Sequence, residues 1–200
     1  MTGRGIALNG ASSSGKSSIG AALQDLSHEP WLLLGVDTFL PLLGREWLWA
    51  PAEGVRGRFG REGVRFDAQD DGLMIVTLGP AGRRLMDGLR TSVTALLEHG
   101  HDLILDLVLL DGDDRSRWRA AVAPAEVLWA GVECPLAVLE HRERARGDRQ
   151  HGLARAQIGA VHEGMDYDVV VDTSAISPTE AAQVILTELD GPAPAGQVRE

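Results

Sequence analysis

The chemically most informative stretch of the sequence is Gly-Ala-Ser-Ser-Ser-Gly-Lys-Ser at positions 10–17, which fits the phosphate-binding pattern GxxxxGK[ST]. In such a loop the glycines let backbone N–H groups and the start of the following helix face a phosphate. Lys16 would reach the β- and γ-phosphate oxygens, and Ser17 would bind Mg²⁺. The alternative is a flexible Gly/Ser turn. We expect ATP binding with Mg²⁺ at Gly10, Ala11, Ser12, Ser13, Ser14, Gly15, Lys16, Ser17 and Ser18.

Lysine usage narrows the class of P-loop protein. Lys16 is the only lysine, against 18 arginines, so the chain keeps a compact ammonium at the one place where the loop needs it. A guanine-binding Asn-Lys-x-Asp box would need a second lysine. A regulatory GTPase of the usual kind is therefore excluded, and small-molecule or nucleotide kinases remain.

A basic cluster in the second half of the chain is the candidate for a lid over the transferring phosphoryl group. Clamping that charge in a dry site requires arginines. The alternative is a solvated helix face, the commoner fate of charge runs. We expect a lid at 142–155, in which Arg146 and Arg149 are catalytic and Arg142 contacts the nucleotide. The cluster consists of Arg142, Arg144, Arg146, Arg149 and Arg155, interrupted by Glu143 and Asp148.

The elements that must position these residues alternate between apolar strand-like runs and helix-like segments, which predicts an α/β fold with a parallel sheet covered on both faces. We place strands at 5–9, 31–36, 103–109, 126–132 and 168–172. Helices are predicted at 16–26, 82–98, 114–122, 136–146 and 178–189. Ser177, Pro178 and Glu180 form a typical start for the last of these helices.

Residues 44–79 interrupt this alternation and predict an insertion over one end of the sheet. Gly, Arg and two tryptophans precede an apparent hairpin of 64–67 and 74–78 that turns at Asp71-Gly72. Trp47 and Trp49 would either stack on an aromatic acceptor or pack the insertion onto the sheet. The remaining chain, 1–190, is predicted to be a single domain, and 191–200 a disordered tail.

Composition limits the partners and the compartment. A net charge of −10, from 19 basic and 29 acidic side chains, disfavours nucleic acid and anionic membrane surfaces. Cys134 is the only cysteine, so no internal disulfide is expected. The sequence shows neither a secretory signal nor an apolar run of membrane-spanning length. We expect a cytoplasmic protein, and homo-oligomer formation stays open.

Beyond the loop, the sequence resembles the chloramphenicol 3-O-phosphotransferases, P-loop kinases related in fold to adenylate and shikimate kinases. The resemblance covers most of the chain and is most specific in Ala-Arg-Gly-Asp-Arg at 145–149 and His-Glu-Gly at 162–164. The other matching segments are 6–17, 29–31, 35–37, 127–131, 142–152, 161–164 and 167–173. It implies a three-layer P-loop kinase fold, the strand order 2-3-1-4-5, and antibiotic resistance through phosphorylation of a hydroxyl, as in chloramphenicol.

The resemblance also implies that Asp37 is the catalytic base. As a carboxylate at the end of the second strand, it lies where open α/β sheets bind ligands, although it could instead cap a short helix at 38–43. Asp106 could hold the Mg²⁺ water shell or be a hydrogen-bonded turn carboxylate; Leu107 stands where the family has a second acid. Thr173 could adjoin the nucleotide base or merely form a turn.

The resemblance weakens on the acceptor side, where the insertion carries arginines without counterparts in the family. These are Arg45, Arg56, Arg58, Arg61 and Arg65. The small-molecule acceptor could therefore be another antibiotic or a metabolite. Two further hypotheses are a nucleotide or nucleoside kinase, whose insertion arginines would grip an acceptor phosphate, and a nucleotide-sensing protein without turnover.

Overall fold

The computed structural model describes residues 1–146 and 151–191 of the chain. Its strands are β1 (Gly5–Asn9), β2 (Trp31–Gly35), β3 (Leu48–Ala50), β4 (Val55–Arg56), β5 (Val64–Ala68), β6 (Met74–Leu78), β7 (Asp102–Leu107), β8 (Val127–Glu133) and β9 (Val169–Asp172). Its helices are α1 (Lys16–Leu26), α2 (Val36–Phe39), α3 (Pro80–Glu98), α4 (Gly112–Val122), α5 (Leu136–Arg146), α6 (Leu153–Gln157) and α7 (Pro178–Leu189).

The main sheet has five parallel strands in the order β2-β7-β1-β8-β9. Counting only its own strands, this is the expected order 2-3-1-4-5. All five predicted strands and five predicted helices are present, with ends displaced by one or two residues. The start of α7 is confirmed in detail, because Ser177 and Glu180 form a reciprocal capping box.

Two apolar cores cover the faces of this sheet and make the fold three layers thick. On one face, α1 and α7 contribute Ile19, Leu23 and Ile185. On the other, α3 buries Leu89, Val93 and Leu97, which recur every four residues along one side of the helix. Because helices cover both faces, the strands are rich in apolar residues, and every residue of β1 is buried.

The insertion contains more regular structure than the hairpin that the sequence predicted. β5 and β6 form that hairpin, with Gly72 in the left-handed region at φ 80°. In addition, β3 and β4 complete a second, four-stranded sheet in the order β4-β3-β5-β6. These two strands have only three and two residues, too few to show an alternating pattern in the sequence.

The turn after β2 corrects one sequence-based alternative. A helix was considered at 38–43 with Asp37 as its N-cap; instead α2 begins at Val36 with Gly35 as N-cap, and 3₁₀ turns follow at Leu40–Leu43 and Arg45–Trp47. Asp37 therefore lies in the first turn of α2 and does not cap it. The predicted second strand was also one residue too long, because Val36 is helical.

Among residues 1–146 and 151–191, no helix combines the length and apolar character that crossing a membrane requires. The tail predicted to be disordered lies outside the described residues from position 192 onward.

Two glycine substitutions test how closely the fold is packed beside the predicted metal ligand. A Cβ at Gly35 would come within 2.8 Å of the Asp106 carbonyl oxygen, whereas one at Gly88, inside α3, meets nothing within 4 Å. Gly35 has extended backbone angles that any residue tolerates, so the contact alone decides its effect. We expect Gly35→Ala to lower the melting temperature. Gly88→Ala should raise the free energy of unfolding by about 0.5–1 kcal/mol. Equal melting temperatures in the two variants would contradict this packing.

Candidate functional site

The P-loop connects β1 to α1 and is shaped by three residues with unusual requirements. A Cβ at Gly10 would lie 2.4 Å from the Val132 carbonyl oxygen, so only glycine lets the loop pass β8 this closely. Gly15 has φ 97° and Ser13 has φ 63°, a conformation that non-glycine residues rarely adopt. Strain of this kind persists where the surroundings fix it, and it is commonest at functional sites.

Lys16, Asp106 and Ser17 form a charged cluster at the carboxyl edge of the sheet. The Ser17 hydroxyl donates to Asp106 Oδ2 at 2.6 Å, and Lys16 Nζ lies 3.5 Å from Asp106 Oδ1. Lys16 Nζ also donates to the Ala11 carbonyl at 3.0 Å, and its side chain is only 6% exposed. This brings together residues that the sequence had assigned to phosphate and metal from two separate segments.

Arg142 and Thr173 form hydrogen bonds to the backbone of the P-loop. Arg142 donates to the Thr173 carbonyl at 2.7 Å and to its hydroxyl at 3.0 Å, and it approaches the Ser13 carbonyl at 3.5 Å. The Thr173 hydroxyl in turn donates to the Ser14 carbonyl at 2.8 Å. Both residues were predicted to adjoin the nucleotide, and both contact the loop backbone.

A buried polar network supports the loop from the end of β1 and was missed by the sequence analysis. Asn9 donates to the Val161 carbonyl and to the Tyr167 hydroxyl, each at 2.7 Å, and accepts from the Leu109 N–H. The Tyr167 oxygen is also 2.8 Å from His162 Nδ1. Burial lowers the pKa of His162 and raises the pKa of Tyr167, so both groups are neutral near pH 7. The signal for this network in the sequence is Asn9, a polar residue at the end of an otherwise apolar strand.

A buried carboxylate joins α5 to the start of α6 within the segment predicted to be a lid. Glu143 on α5 is 2% exposed and accepts from the Gly152 and Ala154 N–H groups at the start of α6. From α6, the buried Gln157 accepts from the Ser12 N–H of the P-loop at 2.7 Å. In the sequence, Glu143 is visible only as an interruption of the arginines, and Gln157 carries no signal of its contact with the P-loop.

The two arginines predicted to be catalytic fall at the edge of the described part of the chain. Arg149 lies outside the described residues, and so does the side chain of Arg146. Of the other arginines of the cluster, Arg155 pairs with Glu140 across α5 and α6, while Arg144 is exposed.

Asp37 lies next to the Lys16–Asp106–Ser17 cluster in the sheet topology. Gly35, two residues before it, is paired with Asp106 in the register of β2 and β7. Asp37 is exposed, in the first turn of α2. It therefore follows the same carboxyl edge as the P-loop, where open α/β sheets bind ligands.

The residues present fit a bound phosphate chain and a magnesium ion. The buried hydroxyls of Ser12, Ser13 and Ser14 find no hydrogen-bond partner within 1–146 and 151–191, which is unusual for buried polar groups. A phosphate oxygen would satisfy such donors, beside backbone N–H groups at a helix start. The Ser17 hydroxyl and Asp106 carboxylate are oxygen ligands of the kind that Mg²⁺ prefers.

Comparison with known proteins assigns the fold and the family. A family model described as "Chloramphenicol phosphotransferase-like protein" matches residues 3–190. The chain is 31% identical to "Putative O-phosphotransferase Rv2636" of Mycobacterium tuberculosis, over 90% of this chain and 80% of that protein.

Solved structures with the same fold have low sequence identity to this chain and include kinases. They include the M. tuberculosis APS kinase in complex with AMPPNP and APS, with a TM-score of 0.64, 17% identity, and coverage of 95% of this chain and 99% of that one. The Deinococcus radiodurans tunicamycin resistance protein has a TM-score of 0.63 at 15% identity, with 94% and 96% covered. Shikimate kinase from Acinetobacter baumannii, in complex with shikimate, has a TM-score of 0.57 at 14% identity, with 92% of each chain covered.

The lid anchor yields a test by substitution. Glu143→Gln replaces one carboxylate oxygen by an amide that cannot accept, so one of the two N–H groups of α6 loses its partner. We expect the free energy of unfolding to fall by about 1–3 kcal/mol. In the control Glu140→Gln, which removes a partly exposed pair with Arg155, the loss should be about 0–1 kcal/mol. Denaturant titrations measure both, and an equal effect of the two substitutions would show that Glu143 is no anchor.

Proposed function

Since the chain belongs to the chloramphenicol phosphotransferase-like family and is a phosphotransferase with the P-loop kinase fold, we propose that it transfers the γ-phosphate of ATP to a hydroxyl of a small organic molecule. The observation that carries this proposal is the contact of Ser17 and Lys16 with Asp106, beside three buried loop hydroxyls without partners among the described residues. The AMPPNP bound to the structurally similar APS kinase supports ATP as the donor.

In the proposed reaction, the P-loop and Lys16 bind the nucleotide phosphates. Lys16 exchanges its contact with the Ala11 carbonyl for the β- and γ-phosphate oxygens and stabilises the charge that develops during transfer. Ser17 and Asp106 would hold Mg²⁺, whose chemistry when bound would be to neutralise phosphate charge. Arg142, fixed by Thr173, lies beside the loop carbonyls and orients the nucleotide.

On the acceptor side, Asp37 acts as the general base. Its carboxylate accepts the proton of the acceptor hydroxyl while the hydroxyl oxygen forms a bond to the γ-phosphorus. The bond between that phosphorus and the bridging oxygen breaks, and ADP leaves with the electron pair. Arg146 and Arg149 are proposed to stabilise the transferring group when the lid closes over it.

The acceptor is identified by a panel assay. Chloramphenicol, other hydroxyl-bearing antibiotics, nucleosides and nucleotides are incubated with ATP and Mg²⁺, and mass spectrometry detects the gain of one phosphate. The proposal predicts ADP formation that depends on an added acceptor. Nucleotide binding without any turnover across the panel would favour a nucleotide-sensing protein instead. ADP formation that is independent of an added acceptor would contradict the proposed transfer to an acceptor hydroxyl. A phosphorylated nucleoside or nucleotide would assign the alternative kinase class.

Lys16→Ala tests the nucleotide side. We expect turnover to be abolished with the fold intact. The ammonium stabilises the negative charge that develops in the transition state and is not part of the apolar core. Lys16→Arg should also be poor, since a planar guanidinium does not replace a compact ammonium in a tight backbone cradle. The control is the circular dichroism spectrum and melting temperature of each variant. Near-wild-type kcat in Lys16→Ala would refute the kinase assignment.

Asp37→Asn tests the base. The amide keeps the size of the side chain but cannot take up the proton, so we expect kcat to fall by about 10²–10⁴-fold, or roughly 3–5 kcal/mol in barrier. Because Gly35 rather than Asp37 caps α2, the melting temperature should barely change. ATP affinity should persist too, since the phosphates are held by the P-loop. Undiminished kcat with a verified acceptor would remove Asp37 from the mechanism.

A further inference from the structure

The insertion encloses an open pocket that the proposed ATP site does not use. Its volume is about 450 Å³, which accommodates a small organic group. The lining contains four guanidinium groups and one carboxylate, in a chain whose net charge is −10. The lining residues are Trp49, Arg56, Gly57, Arg58, Gly60, Arg61, Glu62 and Arg65.

The pocket wall is held in a defined shape by backbone hydrogen bonds and close glycine contacts. The Gly57 N–H donates to the Leu48 carbonyl at 2.8 Å, and the Phe59 N–H donates to the Glu46 carbonyl at 2.8 Å. A Cβ at Gly60 would lie 2.6 Å from Trp49 Cβ, so the loop folds directly onto β3. The arginines are therefore attached to a backbone of defined shape.

Two of the four arginines are already engaged with neighbouring side chains. Arg65 forms a two-pronged pair with Asp67, at 2.6 and 3.1 Å, and its Cζ lies 5.1 Å from the Trp49 ring centroid. The pair lowers the pKa of Asp67 through its hydrogen bond to Arg65. Arg58 lies over the Phe59 ring at 4.6 Å and 3.8 Å from Glu46.

The other two arginines have no such neighbours. Within the described ranges, neither Arg56 nor Arg61 makes a side-chain hydrogen bond or ion pair, and both are exposed. The pocket thus has two guanidinium groups without an ion-pair partner among the described residues and a third fixed against an indole. Each guanidinium group presents a planar fork of N–H donors that suits the oxygens of a phosphate or sulfate group.

The pocket loop is held by the chain segment that follows the proposed base. The helix α2, which carries Asp37, is followed in the chain by the 3₁₀ turn Leu40–Leu43 and then by the 3₁₀ turn Arg45–Trp47. The Glu46 carbonyl of that turn holds the pocket loop. On its far side the insertion meets the lid, because the Met74 N–H donates to the Gly152 carbonyl at 3.2 Å. The insertion thus bridges the segment of the proposed base and the lid.

We propose that this arginine pocket binds a phosphate or sulfate group carried by the acceptor, so that the acceptor is an anionic hydroxyl compound. This assignment rests on the proposed phosphotransfer to a hydroxyl. It narrows the acceptor from any hydroxyl compound to one bearing an oxyanion, and it disfavours a neutral acceptor such as chloramphenicol. Arg56 and Arg61 supply the charge, and Trp49 supplies an apolar wall.

The first arm of the test needs no acceptor. Inorganic phosphate and inorganic sulfate are titrated by calorimetry into protein saturated with AMP-PNP and Mg²⁺, so that the P-loop is already filled. We expect binding to wild type, weakened about 10–100-fold in Arg56→Gln/Arg61→Gln. The matched control is Arg84→Gln, an exposed arginine of α3 outside the pocket, which should bind as wild type. No binding to wild type, or equal binding to the double variant, would overturn the proposal.

The second arm uses the acceptor that the panel identifies. In the double variant we expect its KM to rise at least about tenfold while the KM for ATP stays unchanged. A neutral acceptor turned over equally well by wild type and the double variant would overturn the pocket's role and leave the phosphotransferase proposal intact. Conversely, pocket-dependent phosphate binding without turnover of any compound would support the pocket and count against the phosphotransferase proposal.

Discussion

The contact of Asp106 with Ser17 and Lys16 is the interaction on which the arrangement of the site depends. It joins the end of β7 to the start of α1, and it can form only because β7 is the neighbour of β1 in the sheet. Gly35 must lack a side chain for β2 to lie against Asp106. The Asp106 carboxylate therefore depends on the strand order, on the close packing of β2 and on its contacts with the phosphate-binding loop.

The residues around this cluster fix the loop rather than react. Asn9, Gln157, Thr173 and Arg142 bind loop or strand ends that would otherwise present unpaired backbone groups at the sheet edge. The buried hydroxyls of Ser12, Ser13 and Ser14, by contrast, have no hydrogen-bond partner in the part of the chain that the structure describes. Such a division lets the loop keep one conformation while its inner surface remains available to a charged ligand, which is the preorganisation that electrostatic catalysis requires.

The sequence predicted what depends on local pattern. The P-loop, the five buried strands and the capping box at Ser177 each have a short-range signature, and all are present. What it missed depends on distant partners: Asn9 meets a carbonyl 152 residues later, and Gln157 meets an N–H 145 residues earlier. The strands β3 and β4 were missed because each gains its stability from pairing rather than from its own pattern. The capping role considered for Asp37 was wrong because the helix begins one residue before it.

The central claim, that Ser17 and Asp106 hold the metal beside the nucleotide, is tested most directly by electron paramagnetic resonance of Mn²⁺ in place of Mg²⁺. With AMP-PNP present, we predict that wild-type protein binds one Mn²⁺, and that Asp106→Asn and Ser17→Ala bind it at least about tenfold more weakly. A Lys16→Ala variant keeps both oxygen ligands. It therefore separates the loss of metal binding from the loss of the lysine's contact with the phosphates. Wild-type Mn²⁺ affinity in Asp106→Asn would contradict the account.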